Sequence, residues 1–184
     1  MAAAGLSRSA VVNVQAQREA AVWRALAAVT DPEIPVVSIV DLGIVRGVDW
    51  QDAIPVITVT PTYSGCPATE VIMADIGRML SAAGFATHRL AIRLAPPWTT
   101  DWITPGARAR LAAYGIAPPA GDAPAMERVI DVTALRRRVA GPPVACPRCG
   151  ALSTRELSRF GSTPCKAQYR CEACLEPFDY FKPH

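Results

Sequence analysis

The sequence predicts an α+β fold, a small α/β sandwich in the order α-β-β-α-β-α, followed by a compact C-terminal module. Three observations support this prediction. Apolar residues recur at helical spacing in three segments, and they alternate at strand spacing in segments between them. Two Cys-x-x-Cys pairs lie near the end of the 184-residue chain. Because 51% of the residues are hydrophobic, the chain can bury a sizeable core.

Three segments carry the helical pattern. Residues 15–29 form an apolar stripe that should end before Pro32, because a residue that precedes proline disfavours helical backbone angles. Residues 67–83 present one apolar face, and Gly84 is a natural stop. Residues 104–114 begin with a threonine cap and a proline at the first helical position, which predicts a short third helix.

Three further segments are rich in strand-forming residues. We expect strands near residues 44–50, 54–60 and 87–94. In the last of these, THRLAIRL, the alternation predicts that Leu90, Ile92 and Leu94 point inward.

The composition of the chain divides it into three parts. Residues 15–117 form the predicted first domain, and residues 118–144 are rich in proline and form a linker. Within the linker, the stretch MERVIDVTALRRRV is compatible with one more strand. Residues 145–184 form the C-terminal module.

The charge is distributed unevenly along the chain. Residues 1–125 carry a net charge of −1, and residues 126–184 carry a net charge of +4. The run Arg136–Arg138 is a solvated face or a binding patch.

The C-terminal module carries a metal-binding pattern. CPRCG at 146–150 and CEAC at 171–174 are two cysteine knuckles, which together can supply the tetrahedral S₄ coordination typical of structural zinc. The predicted ligands are Cys146, Cys149, Cys171 and Cys174. About 40 residues build too small a core alone, so a metal staple is expected, and the module is interpreted as a zinc ribbon. Two disulfides or a rubredoxin-like iron site would use the same cysteines. Cys165 is a free thiol at the ribbon edge or replaces one of the four ligands.

A single cysteine, Cys66, lies in the first 145 residues, between a predicted strand and a predicted helix. At a helix start, unpaired N–H groups and the helix dipole favour a thiolate, so Cys66 is a candidate ligand or nucleophile. Asp31, Glu33 and Asp41 lie on loops that could reach the same end of the sheet. The alternative is a buried structural cysteine. His88, the only interior histidine, is expected to be solvated, and no hydrolase triad, phosphate loop or HExxH motif occurs.

The N-terminal residues lack the apolar core of a signal peptide, and no apolar run approaches a membrane span. We therefore expect a cytoplasmic protein, in which metal or redox chemistry accounts for the cysteines better than disulfides do.

Three segments resemble the iron–sulfur-assembly family that includes SufT: DPEIPVVSIVDLGIVRGV, ITVTPTYSGCPATEVI and LAPPWTTDWITPGARARLAAYGIAPP. With the tail CPRCG…FGSTPCKAQYRCEACLEPFDYFK, the chain resembles the PaaD (or PaaJ) family, accessory components encoded with the bacterial phenylacetyl-CoA epoxidase. The resemblance implies a role in aerobic phenylacetate breakdown, in which the protein helps to mature an iron–sulfur or di-iron centre of the epoxidase's oxygenase or reductase subunits.

By the same resemblance, Cys66 becomes a transient contact for iron or an iron–sulfur cluster, and Asp31, Glu33 and Asp41 become residues that shape the site. One cysteine cannot hold a cluster, which usually takes four ligands, so a homodimer, a small thiol or a client must complete it. Alternative functions are a structural subunit of the epoxidase without metal transfer, a zinc-ribbon module that binds protein or nucleic acid, and a thiol-dependent enzyme. The first two of these, like the leading hypothesis, predict no catalytic activity of the chain alone.

Overall fold

The structure is a computed structural model that describes residues 8–63, 65–120 and 143–183. Within these ranges the helices are α1 (Arg8–Ala27), α2 (Ala68–Ala82) and α3 (Pro105–Tyr114), with a 3₁₀ turn at Thr100–Trp102. The strands are β1 (Val45–Gln51), β2 (Ile54–Val59), β3 (Arg89–Ile92), β4 (Ile116–Ala117), β5 (Thr154–Ser158), β6 (Lys166–Cys171) and β7 (Pro177–Phe181). The predicted α+β class is confirmed. The MERVIDVTALRRRV stretch, with Arg136–Arg138, lies outside the described residues, as does the C-terminal His184.

The first sheet has the strand order β1-β2-β3. β1 and β2 form an antiparallel hairpin whose turn residues, Asp52 and Ala53, both have positive φ, as a tight two-residue hairpin turn requires. The chain then crosses through α2 and returns as β3, parallel to β2. Helices and sheet enclose one large core, whose fully buried side chains include Val22, Leu26, Ile57, Ile76 and Leu80.

The predicted orientation of β3 is wrong at two of its three apolar positions. Leu90 packs against the core, but Ile92 is 53% exposed and Leu94 is 55% exposed. In the described part of the chain β3 is an edge strand that pairs with β2 alone. Alternation of apolar residues predicts two faces of a strand, but it does not show whether a neighbouring element covers the apolar face.

The second sheet has the order β4-β7-β6-β5 and contains the C-terminal ribbon. In the C-terminal ribbon, β5, β6 and β7 pair as an antiparallel meander. β4 follows α3 directly and pairs in parallel with β7, so a strand that precedes the linker completes the ribbon sheet. The two parts of the chain also share side-chain packing, since the ring of Phe181 lies 6.0 Å from that of Trp98.

A tight loop before β1 is fastened to the start of α3. The Asp41 carboxylate accepts hydrogen bonds from Ser38 Oγ at 2.8 Å and Thr104 Oγ1 at 3.2 Å, and it forms an ion pair with Arg110. Thr104 is also the N-cap of α3, as predicted, and accepts from the Ala107 amide. Gly43 ends this loop with φ +70°, in close contact with the Trp102 backbone.

We expect Gly43→Ala to destabilise the fold by about 3 kcal/mol, because the new Cβ would lie 2.5 Å from Trp102 Cβ in a backbone conformation unfavourable to side chains. Gly47→Ala is the matched control: it has no atom within 4 Å of the added Cβ and should change stability by less than about 1 kcal/mol. Urea unfolding of both variants measures the difference. Equal stabilities would show that the loop adapts to a side chain at residue 43.

Candidate functional site

Four cysteine thiols converge at one end of the ribbon. The Sγ atoms of Cys146, Cys149, Cys171 and Cys174 all lie within 4.8 Å of one another. Two of the sulfur pairs, 146–174 and 149–171, are 3.7 and 3.6 Å apart. These separations are much longer than the covalent S–S bond of about 2.05 Å. They match the edge of about 3.8 Å expected for a tetrahedron of sulfurs around zinc with Zn–S bonds of about 2.3 Å.

The backbone holds the two knuckles in this arrangement. In the first, the Gly150 amide donates to the Cys146 carbonyl at 2.9 Å, and Gly150 has φ +74°. In the second, Leu175 has φ +65°, and the Cys174 amide points to Cys171 Sγ at 3.4 Å. That amide lowers the pKa of Cys171 to about 6. The donor set, four sulfurs with backbone support for thiolates, therefore fits a metal ion such as zinc.

A second site surrounds Cys66 in the first part of the chain. Cys66 is half-buried just before α2; its amide donates to the Tyr63 carbonyl at 3.1 Å, and its carbonyl accepts from the Thr69 amide. With Asp31 it lines a small depression whose walls are mainly apolar, including Ile44, Val59 and Ile72. The space open to the centre of a water molecule is about 10 Å³, which is room for about one water.

The DPE loop supplies two carboxyl groups near this depression. Asp31 is buried, and its Oδ1 accepts from the amides of Glu33 at 2.8 Å and Ile34 at 2.9 Å. Burial raises the pKa of Asp31 despite these hydrogen bonds. Burial also raises the pKa of Glu33, and the neighbouring Asp31 charge adds to the effect. Asp31 thus closes the 31–37 loop and presents an acidic group at the Cys66 depression.

Asp41 lies in a different network. Burial alone would raise its pKa, but the hydrogen bond from Ser38, the Arg110 charge and the Thr104 hydroxyl together lower it. These three partners belong to the loop before β1 and to α3, and Asp41 does not line the depression that holds Asp31 and Cys66. The structure therefore places Asp31 and Cys66 at one depression, Glu33 next to Asp31, and Asp41 in the link between loop and helix.

Two residues interact electrostatically with the acidic groups of this region, which was not expected from the sequence. Burial raises the pKa of Tyr63 to about 12, with further contributions from the charge of Cys66, a hydrogen bond to Cys66, and the charges of Glu33 and Cys165. Burial likewise raises the pKa of Cys165, the hydrogen bond from Thr163 opposes this, and the charges of Glu33 and Asp31 raise it further. Cys165 packs in the core of the first part of the chain and lies outside the four-thiol group.

His88 has no such association. Its Nδ1 donates to the Phe85 carbonyl at 2.9 Å, and the ring is half-buried at the start of β3. Within residues 8–63, 65–120 and 143–183, no helix is long and apolar enough to cross a membrane.

Comparison with known proteins separates two regions of the chain. Residues 19–84 match the iron–sulfur cluster assembly protein family, and residues 133–182 match the PaaD zinc beta ribbon domain. Over 161 residues the chain is 48% identical to a protein of Escherichia coli (strain K12) that is provisionally named as one of the subunits of 1,2-phenylacetyl-CoA epoxidase. That alignment covers 88% of this chain and 90% of the relative.

Two further similarities concern the first part of the chain. The Fe–S protein maturation auxiliary factor of Porphyromonas gingivalis (strain ATCC BAA-308 / W83) is 33% identical over 90 residues, 48% of this chain and 85% of that protein. The crystal structure of a domain of unknown function, DUF59, from Bacillus anthracis superposes with a TM-score of 0.50 at 31% identity. It covers 54% of this chain and 96% of that one.

The opposite pKa shifts of Asp31 and Asp41 predict opposite pH dependences. When folding raises the pKa of a carboxyl group, the protein loses stability as the pH rises from the ordinary pKa of 3.8 through the folded pKa. When folding lowers the pKa, the protein loses stability as the pH falls from 3.8 through the folded pKa. In Asp31→Asn, the free energy of unfolding should therefore fall less than in the wild type as the pH rises above 3.8. In Asp41→Asn, it should fall less than in the wild type as the pH drops below 3.8. The free energy of unfolding, measured from pH 2.5 to 7, checks both. The same sign for both variants would contradict the assignment.

We expect Cys171→Ser to lose the ribbon's metal and Cys165→Ser to retain about one zinc ion per chain, because only Cys171 belongs to the converging thiols. Loss of the ion should also unfold the ribbon strands, since folding and binding of such small modules are coupled. Elemental analysis and amide hydrogen exchange of residues 143–183 provide the measurement. Zinc loss in the Cys165→Ser protein would place that thiol among the ligands.

Proposed function

We propose a function from one premise: the chain belongs to the PaaD family, together with the Escherichia coli relative that is named after the epoxidase. The protein has an accessory role in iron–sulfur assembly, and the client that we propose is the phenylacetyl-CoA epoxidase, whose iron–sulfur or di-iron centre it helps to build or maintain. The protein then acts in the catabolism of phenylacetate, in the cytoplasm. The four ribbon cysteines hold a structural zinc ion.

One observation carries the proposal. Cys66 and Asp31 open into a common depression on the part of the chain that matches iron–sulfur cluster assembly proteins. A half-exposed thiol can contact iron while the metal still has ligand positions free, and the turn before α2 keeps the thiol in place. Asp31 and Glu33 shape the entrance and favour a cation beside the sulfur.

The chemistry of this site suits a transient contact. Among the described residues, only the four ribbon cysteines bring three or more metal-ligand atoms within 4.8 Å of one another. The Cys66 site is therefore open, and iron bound there needs further ligands from elsewhere. An ion or cluster held by few protein atoms is easily passed to another protein.

A second candidate function is that of a structural component of the epoxidase that transfers no metal. It is favoured by the ribbon surface, where Leu152, Phe160 and Leu175 each have more than half of their surface exposed. These side chains are available for contact with another protein, as this second function requires.

We expect Cys66→Ala to lower the iron content of the epoxidase to the level of a host that lacks this protein, because the mutation removes the sulfur that contacts iron. Thr62→Ala is the matched control, since it alters the wall of the same depression and leaves the thiol intact. The measurement is iron per epoxidase, purified from hosts that carry each variant at equal abundance.

Normal iron in the host with Cys66→Ala would refute maturation through Cys66. If the protein then still copurified with the epoxidase in a fixed ratio, the structural function would be the better description.

A further inference from the structure

The strand β3 is an open edge of the first sheet. Within the ranges that the structure describes, it pairs with β2 alone. The Arg93 amide donates to the Val59 carbonyl at 2.9 Å, which extends this pairing one residue beyond the end of β3. Successive residues of a strand direct their backbone groups to opposite edges, so the N–H and C=O groups of Leu90 and Ile92 face away from β2. Unpaired backbone groups of this kind are a template for another strand.

The side chains along this edge are apolar on one face of the sheet. Leu90, Ile92 and Leu94 share that face, because side chains alternate along a strand. Leu90 packs against the core, whereas Ile92 and Leu94 each have more than half of their surface exposed. A strand that paired with this edge would therefore also cover large apolar side chains.

The opposite face of β3 carries positive charge. Arg89 and Arg93 flank Ala91, and all three residues are exposed. Arg89 Nη1 donates to Gln51 Oε1 at 2.8 Å, and within the described ranges the ion pairs involve neither of these two arginines. Because like charges directly opposite each other destabilise a strand pair, a strand at this edge must not place a cation opposite either arginine.

The charge requirement restricts how a second copy of β3 could pair with the first. Two identical antiparallel strands are related by a two-fold axis, and three positions of that axis overlap most of residues 89–94. An axis at Ala91 sets Arg89 opposite Arg93 of the second copy, and an axis at Arg93 sets that residue opposite itself. Both of these registers bring like charges together.

An axis at Ile92 satisfies the charges and the apolar side chains alike. It sets Ala91 opposite Arg93 of the second copy, so that no arginine faces an arginine. It also sets Leu90 opposite Leu94, and Ile92 opposite itself, which gives three apolar pairs on one face. The same residues have their backbone groups at the open edge, where they can form the hydrogen bonds of an antiparallel ladder.

We infer that β3 pairs with β3 of a second copy of this chain, antiparallel and with the two-fold axis at Ile92. The six strands of the two first sheets then form one continuous sheet. The contact is short, so the dimer is weak and depends on protein concentration. It does not depend on the proposed function, because it involves no metal.

The dimer also has a consequence for the Cys66 depression. Val59 lies beside Ile92 in the register of β2 with β3, and it lines that depression. The two copies of Val59 are then three strand spacings apart, about 14 Å. Since the axis is perpendicular to the sheet, both depressions lie on the same face of the joined sheet, where another protein would meet them together.

Sedimentation of the full-length protein with zinc in its ribbon, over a range of concentrations, measures the dimer. Ile92→Glu should weaken dimerisation by at least about tenfold, because two apolar contacts are lost and two carboxylates face each other across the axis. Val71→Glu is the matched control, since Val71 is also about half exposed but lies on α2, and this variant should dimerise like the wild type. The unfolding temperature shows that each variant is folded.

Two substitutions of Ala91 test the register. Ala91→Glu should strengthen the dimer by about threefold or more and Ala91→Lys should weaken it by a similar factor, because residue 91 lies opposite Arg93 of the second copy. In the register centred on Ala91, each new charge would face its own copy, and both variants would weaken the dimer.

A wild type that stays monomeric at every concentration would overturn the inference and leave the edge to a different protein or to another segment of this chain. Wild-type dimerisation of Ile92→Glu would overturn it as well, and so would equal losses in Ile92→Glu and Val71→Glu. Weaker dimers in both Ala91 variants would overturn the register. The iron content of the epoxidase judges the proposed function separately.

Discussion

The pairing of β4 with β7 is the constraint on which the rest of the structure depends. Ile116 and Ala117 align with Asp179 and Tyr180, so the ribbon sheet is completed by a strand that directly follows α3. Gly115 makes this possible, because its φ of +98° ends α3 and turns the chain into β4 without a connecting loop. Once β7 is fixed on β4, the antiparallel partner β6 is fixed as well. The first residues of β6 and the residue before it are then held against the first part of the chain.

The ribbon has little else to maintain this arrangement. Its own cluster of buried residues is small, with Phe178 and Tyr180 as its largest members. A core of this size cannot offset the conformational entropy of about 40 ordered residues without a covalent or metal staple. The four-thiol centre joins the knuckle before β5 to the knuckle between β6 and β7. A metal ion there would therefore stabilise the strand register of the ribbon.

The sequence predicted the structural features that depend on residues adjacent to one another along the chain. The limits of α2, the Thr104 cap and the converging cysteine knuckles all follow from local patterns, and each is found in the structure. It did not predict the exposure of Ile92 or the surroundings of Cys165, because these depend on which elements lie beside them after folding. The DPE and DLG motifs looked alike as acidic loops, yet Asp31 faces Cys66 whereas Asp41 is held by Arg110.

The two thiol sites differ in one physical respect that separates their roles. At the ribbon knuckles four sulfurs surround a common point, so an ion there would have all four coordination positions filled by the protein. Around Cys66, in the part of the chain that the structure describes, the donors are few and are mixed with carboxyl groups. An ion at that place would keep part of its coordination for another molecule. Under the proposed function, the number of converging donors is therefore the physical difference between a site that would stabilise the ribbon and one that would exchange its metal.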